Sequence, residues 1–229
     1  MNKIKLPEYL NELINKIWNE SKPESIFLYG SMARDDFEKD SDYEIGIIYQ
    51  QDKRWTRQQL KDINTYENVK IYPFVAEELA NGEIDTPFPK SIYLHTLLNS
   101  QVIRGGELSN YIHTKTIQKS DLYESVGFSL GRAYSAVVSS RQEDWVAVRD
   151  GFTKAVFYGL QVLVFIKTNQ LIFSYKKLVD LSKPYIDPEY TELVTHASEV
   201  RKGESAINPN MLYKSISFLN KAVLISLKN

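Results

Sequence analysis

Residues 25–49 read SIFLYGSMARDDFEKDSDYEIGIIY, and no other stretch constrains the fold as much. Ile26, Phe27, Leu28 and Tyr29 carry the β-branched and aromatic bias of a buried strand. Gly30 then supplies a permissive backbone for a turn, in which Ser31 offers both an N–H and a hydroxyl. A charged interval follows, and the chain re-enters an apolar run that contains Asp42 and Glu44. Strand side chains alternate with period two, so these two carboxylates fall on one face. Like charges held together repel, and a fold that keeps them suits a hard divalent cation with oxygen ligands, Mg²⁺ first. An isolated acid-x-acid pair is also what a solvated edge strand carries; the strand, turn and short helix that precede it are what favour a site.

The order Gly-Ser, about ten residues, then Ser-Asp-x-Glu resembles the signature of the polymerase β-type nucleotidyltransferases. Within that superfamily the likeness is to the minimal nucleotidyltransferases and to the kanamycin- and lincosamide-type antibiotic nucleotidyltransferases, which use Asp-x-Glu. The matching residues are Gly30, Ser31, Asp42 and Glu44, with Ser41 at the family's serine and Arg34 in the basic stretch after the turn. The resemblance implies that Gly30 and Ser31 bind the triphosphate of a nucleotide, ATP first, with Arg34 and Ser41 as further nucleotide contacts. It also implies that Asp42 and Glu44 are the catalytic and metal-holding carboxylates, aligning the α-phosphate for attack by an acceptor hydroxyl. Asp35 and Asp36 stand where the family usually has a glycine, and two acids near a triphosphate are tolerable if they point outward. Arg34 is then either a phosphate contact or the partner of one of these acids in a surface ion pair.

Composition narrows the setting. With 229 residues and 43% apolar content the chain is long enough for one large or two small domains with real cores. It has no cysteine, which removes disulfides, zinc-thiolate sites and thiol nucleophiles. The first residues meet Pro7 and acids before any long apolar run, so no signal peptide is expected, and the most apolar interval, residues 155–166, is too short to span a bilayer. A cytoplasmic protein without a membrane partner is the expectation. Twenty-eight basic against 29 acidic residues give a formal charge of -1, which argues against extended nucleic acid as a partner and favours a nucleotide and a small acceptor.

Before the motif, Leu10, Leu13, Ile14, Ile17 and Trp18 recur at helical spacing after Pro7, predicting a scaffold helix over 8–20. After it, residues 51–64 read as a loop leading into a helix anchored by Trp55 and Leu60. Residues 68–74 then form a short strand closed by Pro73. In the enzymatic families a third carboxylate lies on this strand, and the likeness of VKIYPFVAEEL to that segment puts Lys70 in its place. An ammonium there either balances Asp42 and Glu44 and weakens metal binding, or points at a phosphate as a nucleotide-binding residue while Glu67, Glu77 or Glu78 supplies an acid. A short helix over 77–82, an irregular rim around Pro87 and Pro89, a helix over 92–98 and a strand over 100–106 complete the first domain, residues 1–110. Arg104 is a candidate phosphate contact or a strand-end ion pair. His95, His113 and His196 lie too far apart in sequence for the usual zinc spacings.

The second domain, residues 119–229, is expected to be an all-α bundle. Leu122, Val126, Leu130, Ala133 and Val137 mark a helix over 120–140. A second helix over 143–168 opens on Glu143 and Asp144 and is apolar nearly all round in its last half, which suits the bundle centre or a homodimer face. Helices over 174–181, 188–202 and 210–228 follow. The region resembles the helical domains that follow nucleotidyltransferase domains, including the HEPN type. The HEPN ribonuclease pattern of an arginine four to six residues before a histidine is not met. Arg132, Glu143, Asp144, Arg149 and Asp150 are candidates for acceptor chemistry or for an ordinary charged face. Tyr123, Tyr134, Tyr158 and Tyr175 are candidates for stacking or for packing.

The fold class read from the sequence is therefore α+β: an N-terminal nucleotidyltransferase (polymerase β-like) mixed β-sheet with flanking helices, followed by an all-α helical bundle. The implied function is transfer of a nucleoside monophosphate from an NTP to a hydroxyl of a small molecule, an antibiotic among the candidates, or of a macromolecule. The alternative is a catalytically inactive nucleotide-binding or antitoxin-like interaction protein, on the strength of Lys70.

Overall fold

The computed structural model describes residues 5–34, 36–37, 41–86 and 88–228. Asp35 and the charged positions 38–40 of the interval before Asp42 lie outside them, as does Pro87 of the proline-rich rim. The chain divides into two compact units, Met1–Thr116 and Ile117–Asn229.

The first unit is built on a four-stranded mixed sheet of order β3-β2-β1-β4. Helix α1 (Glu8–Ser21) buries Leu10, Leu13, Ile14 and Ile17 along one stripe, and leads into β1 (Ser25–Tyr29), which is buried throughout. The one-turn helix α2 (Gly30–Ala33) follows directly. Next come β2 (Tyr43–Tyr49), α3 (Arg57–Ile63) and β3 (Val69–Val75). Helices α4 (Ala76–Asn81) and α5 (Lys90–Leu98) precede β4 (Gln101–Gly105). β1 runs antiparallel to both β2 and β4, whereas β2 and β3 are parallel.

Each face of the sheet is covered by its own apolar layer, as the period-two alternation requires. Ile26, Leu28, Ile45, Ile47 and Val69 meet α1, Met32, Ala33 and Leu60 on one side. Phe27, Tyr29, Ile48 and Phe74 meet Leu79, Leu94 and Leu97 on the other. Trp55 and Leu60 anchor α3 as their spacing predicts, and a Thr56–Gln59 capping box fixes its first turn. One strand end differs from the sequence expectation: Pro73 does not close β3, which runs on to Val75. β3 is an edge strand, where a residue without an N–H costs no ladder bond on the open side.

The second unit is all helical. Helices α6 (Lys119–Arg141) and α7 (Trp145–Thr168) pack along each other, α8 (Tyr175–Ser182) and α9 (Pro188–Lys202) pack on α7, and α10 (Pro209–Ser217) packs chiefly on α6. The Asp144 carboxylate accepts the Ala147 N–H at 3.0 Å and so caps α7. Glu143 lies outside the helix with a φ of 58°, because the helix starts two residues later than the charge pattern suggests. The wide apolar surface of α7 is spent inside the bundle: Phe152, Val156, Leu160 and Val164 are fully buried. The last helix is not uniform. A π-helical stretch, Phe218–Val223, joins α10 to α11 (Leu224–Lys228), with Phe218, Leu219 and Val223 fully buried. No helix among the described residues is long and apolar enough to cross a membrane.

Candidate active site

The register of the sheet gathers the motif at one end of one face. Tyr29 of β1 lies opposite Glu44 of β2, and Glu44 lies beside Lys70 of β3. Lys70, Glu44 and Tyr29 therefore form a row across three strands, with Tyr72, Gly46 and Phe27 as the next row. Asp42 sits two residues before Glu44, immediately ahead of β2, so the strand alternation expected to set both carboxylates on one face reaches only Glu44, and Asp42 stands at the mouth of the strand.

Gly30 holds the close approach on which this arrangement depends. Its φ is +73°, and a Cβ built there would fall 1.7 Å from Glu44 Oε2 and 2.7 Å from its carboxyl carbon. The missing side chain is thus what lets the Glu44 carboxylate lie against the turn. Gly46 does the same for packing: its Cβ would meet three ring atoms of Phe27 within 2.6 Å. Beyond Gly30 the turn closes on the Ser31 carbonyl, which accepts the N–H of Arg34 at 3.2 Å and of Asp36 at 3.1 Å.

Of the two alternatives for Arg34, the ion pair is present in the structure. Its Nε lies 3.9 Å from Asp36 Oδ2, with the Asp36 side chain only 5% exposed. Asp36 therefore turns into the protein and takes part of the Arg34 charge, whereas Asp35 is outside the described residues. Lys70 does not balance the carboxylates. Its side chain is exposed, its Nζ donates to the Glu67 carbonyl at 3.0 Å, and among the described residues it forms no ion pair. Asp42 likewise has no ion pair among the described residues.

Around Glu44 the structure adds residues that the motif does not contain. The hydroxyls of Tyr29 and Tyr93 are hydrogen-bonded to each other. Burial, then Tyr93, Glu44 and Tyr72, lift the Tyr29 hydroxyl well above its ordinary range. Burial also pushes Tyr93 up to about 12, against the opposing hydrogen bond from Tyr29; the Glu44 charge and Tyr72 add to it, and Arg57 counters it. Tyr72 is raised by burial first and then by Glu44, with Arg57 opposing and Asp42 adding. Arg57, the first residue of α3, sets its guanidinium over the Tyr72 ring at 5.7 Å. Phe88 stacks on Tyr93 at 5.4 Å. These tyrosines are neutral donors at ordinary pH, an apolar and weakly polar wall for the carboxylate.

Other candidates are drawn elsewhere. Arg104 is not a phosphate contact: it donates to Asn15 Oδ1 at 2.8 Å and lies 4.6 Å over Trp18, on the α1 side of the sheet. His95 is held by the Lys115 carbonyl at 3.2 Å and His196 by the Asn208 N–H at 3.2 Å. In the bundle, Asp150 pairs with Arg132 and Lys154, Arg149 donates to the Arg201 carbonyl, and Tyr175 stacks on Phe157 at 4.5 Å. These are structural uses of groups that the sequence left open.

Among the described residues no group of three or more His, Asp or Glu gathers as a metal cluster. Asp42, just ahead of β2, and Glu44, its second residue, nevertheless fit Mg²⁺, which commonly takes one or two carboxylates and completes its shell with phosphates and water. The donor set suits an ion that arrives with a nucleotide.

Residues 11–108 match the family described as Polymerase beta, Nucleotidyltransferase. These residues form a polymerase-beta-like nucleotidyltransferase domain. Comparison of the whole sequence with curated proteins finds no match. Among solved structures, the spectinomycin adenyltransferase AAD(9) from Enterococcus faecialis, with ATP and spectinomycin, is similar over 98% of this chain and 100% of its own, at 14% identity and a TM-score of 0.63. At that identity the likeness establishes a shared fold. The nucleotidyltransferase domain is followed, as in the expectation, by an all-α bundle.

Proposed function

We propose that the protein transfers a nucleoside monophosphate from an NTP, ATP first, to an acceptor hydroxyl, with release of pyrophosphate. The observation that carries this reading is the Glu44 carboxylate lying against Gly30, which puts an acid beside the turn suited to a triphosphate. In this reading Gly30 and Ser31 hold the phosphates, with Ser41 nearby in sequence, and Asp42 and Glu44 hold Mg²⁺. The ion, when bound, neutralises charge on the phosphates and aligns the α-phosphate. The acceptor oxygen forms a bond to the α-phosphorus as the bond to the pyrophosphate oxygen breaks, and the acceptor proton leaves to solvent. Positioning supplies most of the rate in such chemistry.

A second reading, a nucleotide-binding relative without transferase activity, draws on Lys70, which occupies the register position beside Glu44 with an ammonium rather than an acid. Calorimetry with a non-hydrolysable ATP analogue, with and without Mg²⁺, separates the two. The transferase reading expects Mg²⁺-dependent binding that is lost in Asp42→Asn. Binding indifferent to Mg²⁺ and to that substitution sinks it in favour of the second.

A further inference from the structure

We infer that the acceptor side of this site is built for an anionic hydroxyl compound, carrying a phosphate or carboxylate, and against a cationic one. The inference rests on the transferase reading and deepens it. In an in-line displacement the attacking and leaving oxygens stand on opposite sides of the phosphorus. The strand order is β3-β2-β1 on this part of the sheet. The Gly30–Ser31 turn follows β1 and the carboxylate pair lies at the start of β2, so a triphosphate at the turn directs its pyrophosphate toward β1. The acceptor then approaches over β3.

That strand carries Lys70 and Tyr72 on the carboxylate face, in register with Glu44 and Gly46. Arg57 lies over the Tyr72 ring. Both cations are exposed, Lys70 is tethered through the Glu67 carbonyl, and neither forms an ion pair among the described residues. Once Asp42 and Glu44 are engaged by a metal and its nucleotide, the charge left facing the acceptor is that of Lys70 and Arg57. Two positive groups around an aromatic face attract an anion and repel an amine-bearing acceptor, because charge complementarity selects partners more sharply than it adds affinity. The same arrangement accounts for an ammonium at a position where the resemblance leads one to look for an acid.

The test uses the full chain saturated with Mg²⁺ and a non-hydrolysable ATP analogue, so that the triphosphate turn is filled. Glycerol phosphate and spectinomycin are titrated as anionic and cationic probes into wild type, Lys70→Gln and Arg57→Gln. Both substituted side chains are exposed, and thermal melting checks that the variants fold. Glycerol phosphate is expected to bind wild type saturably, with affinity falling about tenfold or more in each variant and at raised salt. Spectinomycin is expected not to saturate, and analogue binding to stay close to wild type in both variants. No saturable glycerol phosphate binding, equal binding by the variants, saturable spectinomycin binding to wild type, or a parallel loss of analogue affinity would each overturn the inference. If the analogue itself fails to bind wild type with Mg²⁺, the transferase reading has failed first and this inference falls with it.

Discussion

Replacing Gly30 by alanine separates stability from ligand geometry. The backbone there has a φ of +73°, a conformation that costs an L-residue about 1–2 kcal/mol. The added methyl would also fall 1.7 Å from Glu44 Oε2 and 2.7 Å from its carboxyl carbon. That carboxylate is the end of a flexible side chain, so it can swing aside at small further cost, but it then leaves its place against the turn. Gly30→Ala should therefore lower the stability of the sheet unit by about 1–2 kcal/mol, a shift of roughly half to one molar in urea midpoint. Binding of the Mg²⁺–ATP analogue should fall much further, by about tenfold or more, because the displaced Glu44 no longer meets the metal. Trp18 and Trp55 report the sheet unit by fluorescence in a Trp145→Phe background, and calorimetry reports binding. The double variant Gly30→Ala/Glu44→Ala completes the cycle: the stability cost of the alanine should persist, whereas its binding cost should vanish once Glu44 is already gone. Binding by Gly30→Ala at wild-type affinity, or equal binding losses in the presence and absence of Glu44, would refute the reasoning.

Gly46→Ala should be worse for stability than for binding, since its methyl would strike the fully buried Phe27 ring within 2.6 Å; a loss of about 1–3 kcal/mol or more is expected from thermal melts. Tyr29→Phe removes a buried hydroxyl bonded to Tyr93 and should cost about 1 kcal/mol in urea unfolding while leaving the fold intact. The folded protein keeps the Tyr93 proton up to about 12, whereas an unfolded tyrosine releases it near 10. Its contribution is therefore whole below pH of about 10 and is lost as pH climbs toward 12, at about 1.4 kcal/mol per unit. Stability measured across that window should fall less steeply in Tyr93→Phe.

What was legible in the sequence was whatever lies close together along the chain. Gly30-Ser31 and Asp42-x-Glu44 fall within fifteen residues, and their strand, turn and strand grammar translates directly into β1, α2 and β2. The helical periodicities likewise mark α1 and the bundle helices to within a residue or two, because buried stripes repeat at fixed spacing. The wall around Glu44 was not legible, since Tyr29, Arg57, Tyr72 and Tyr93 span four elements and each reads singly as core or surface. One signal was available: Tyr72 follows Lys70 by two residues, so any strand that presents Lys70 beside the carboxylates must present Tyr72 to the same face. Arg104 misled because a cation at a strand end near the motif looks like a phosphate contact, and only the stacking on Trp18 shows that it faces α1. Pro73 was read as a strand terminus because its edge position depends on the sheet order, which short-range pattern does not reveal. The π-helical stretch in the last helix has no local signal at all.

The central claim is that Asp42 and Glu44 hold the metal of a nucleotide bound at the Gly30–Ser31 turn. Its most direct test uses Mn²⁺ as a paramagnetic stand-in for Mg²⁺, with bound and free ion distinguished by electron paramagnetic resonance. Wild type should capture Mn²⁺ together with a non-hydrolysable ATP analogue far more tightly than either Mn²⁺ alone or Mn²⁺ with the analogue in buffer, and Asp42→Asn and Glu44→Gln should each lose that capture. Capture that is the same in both variants as in wild type, or no ternary complex in wild type, would contradict the account.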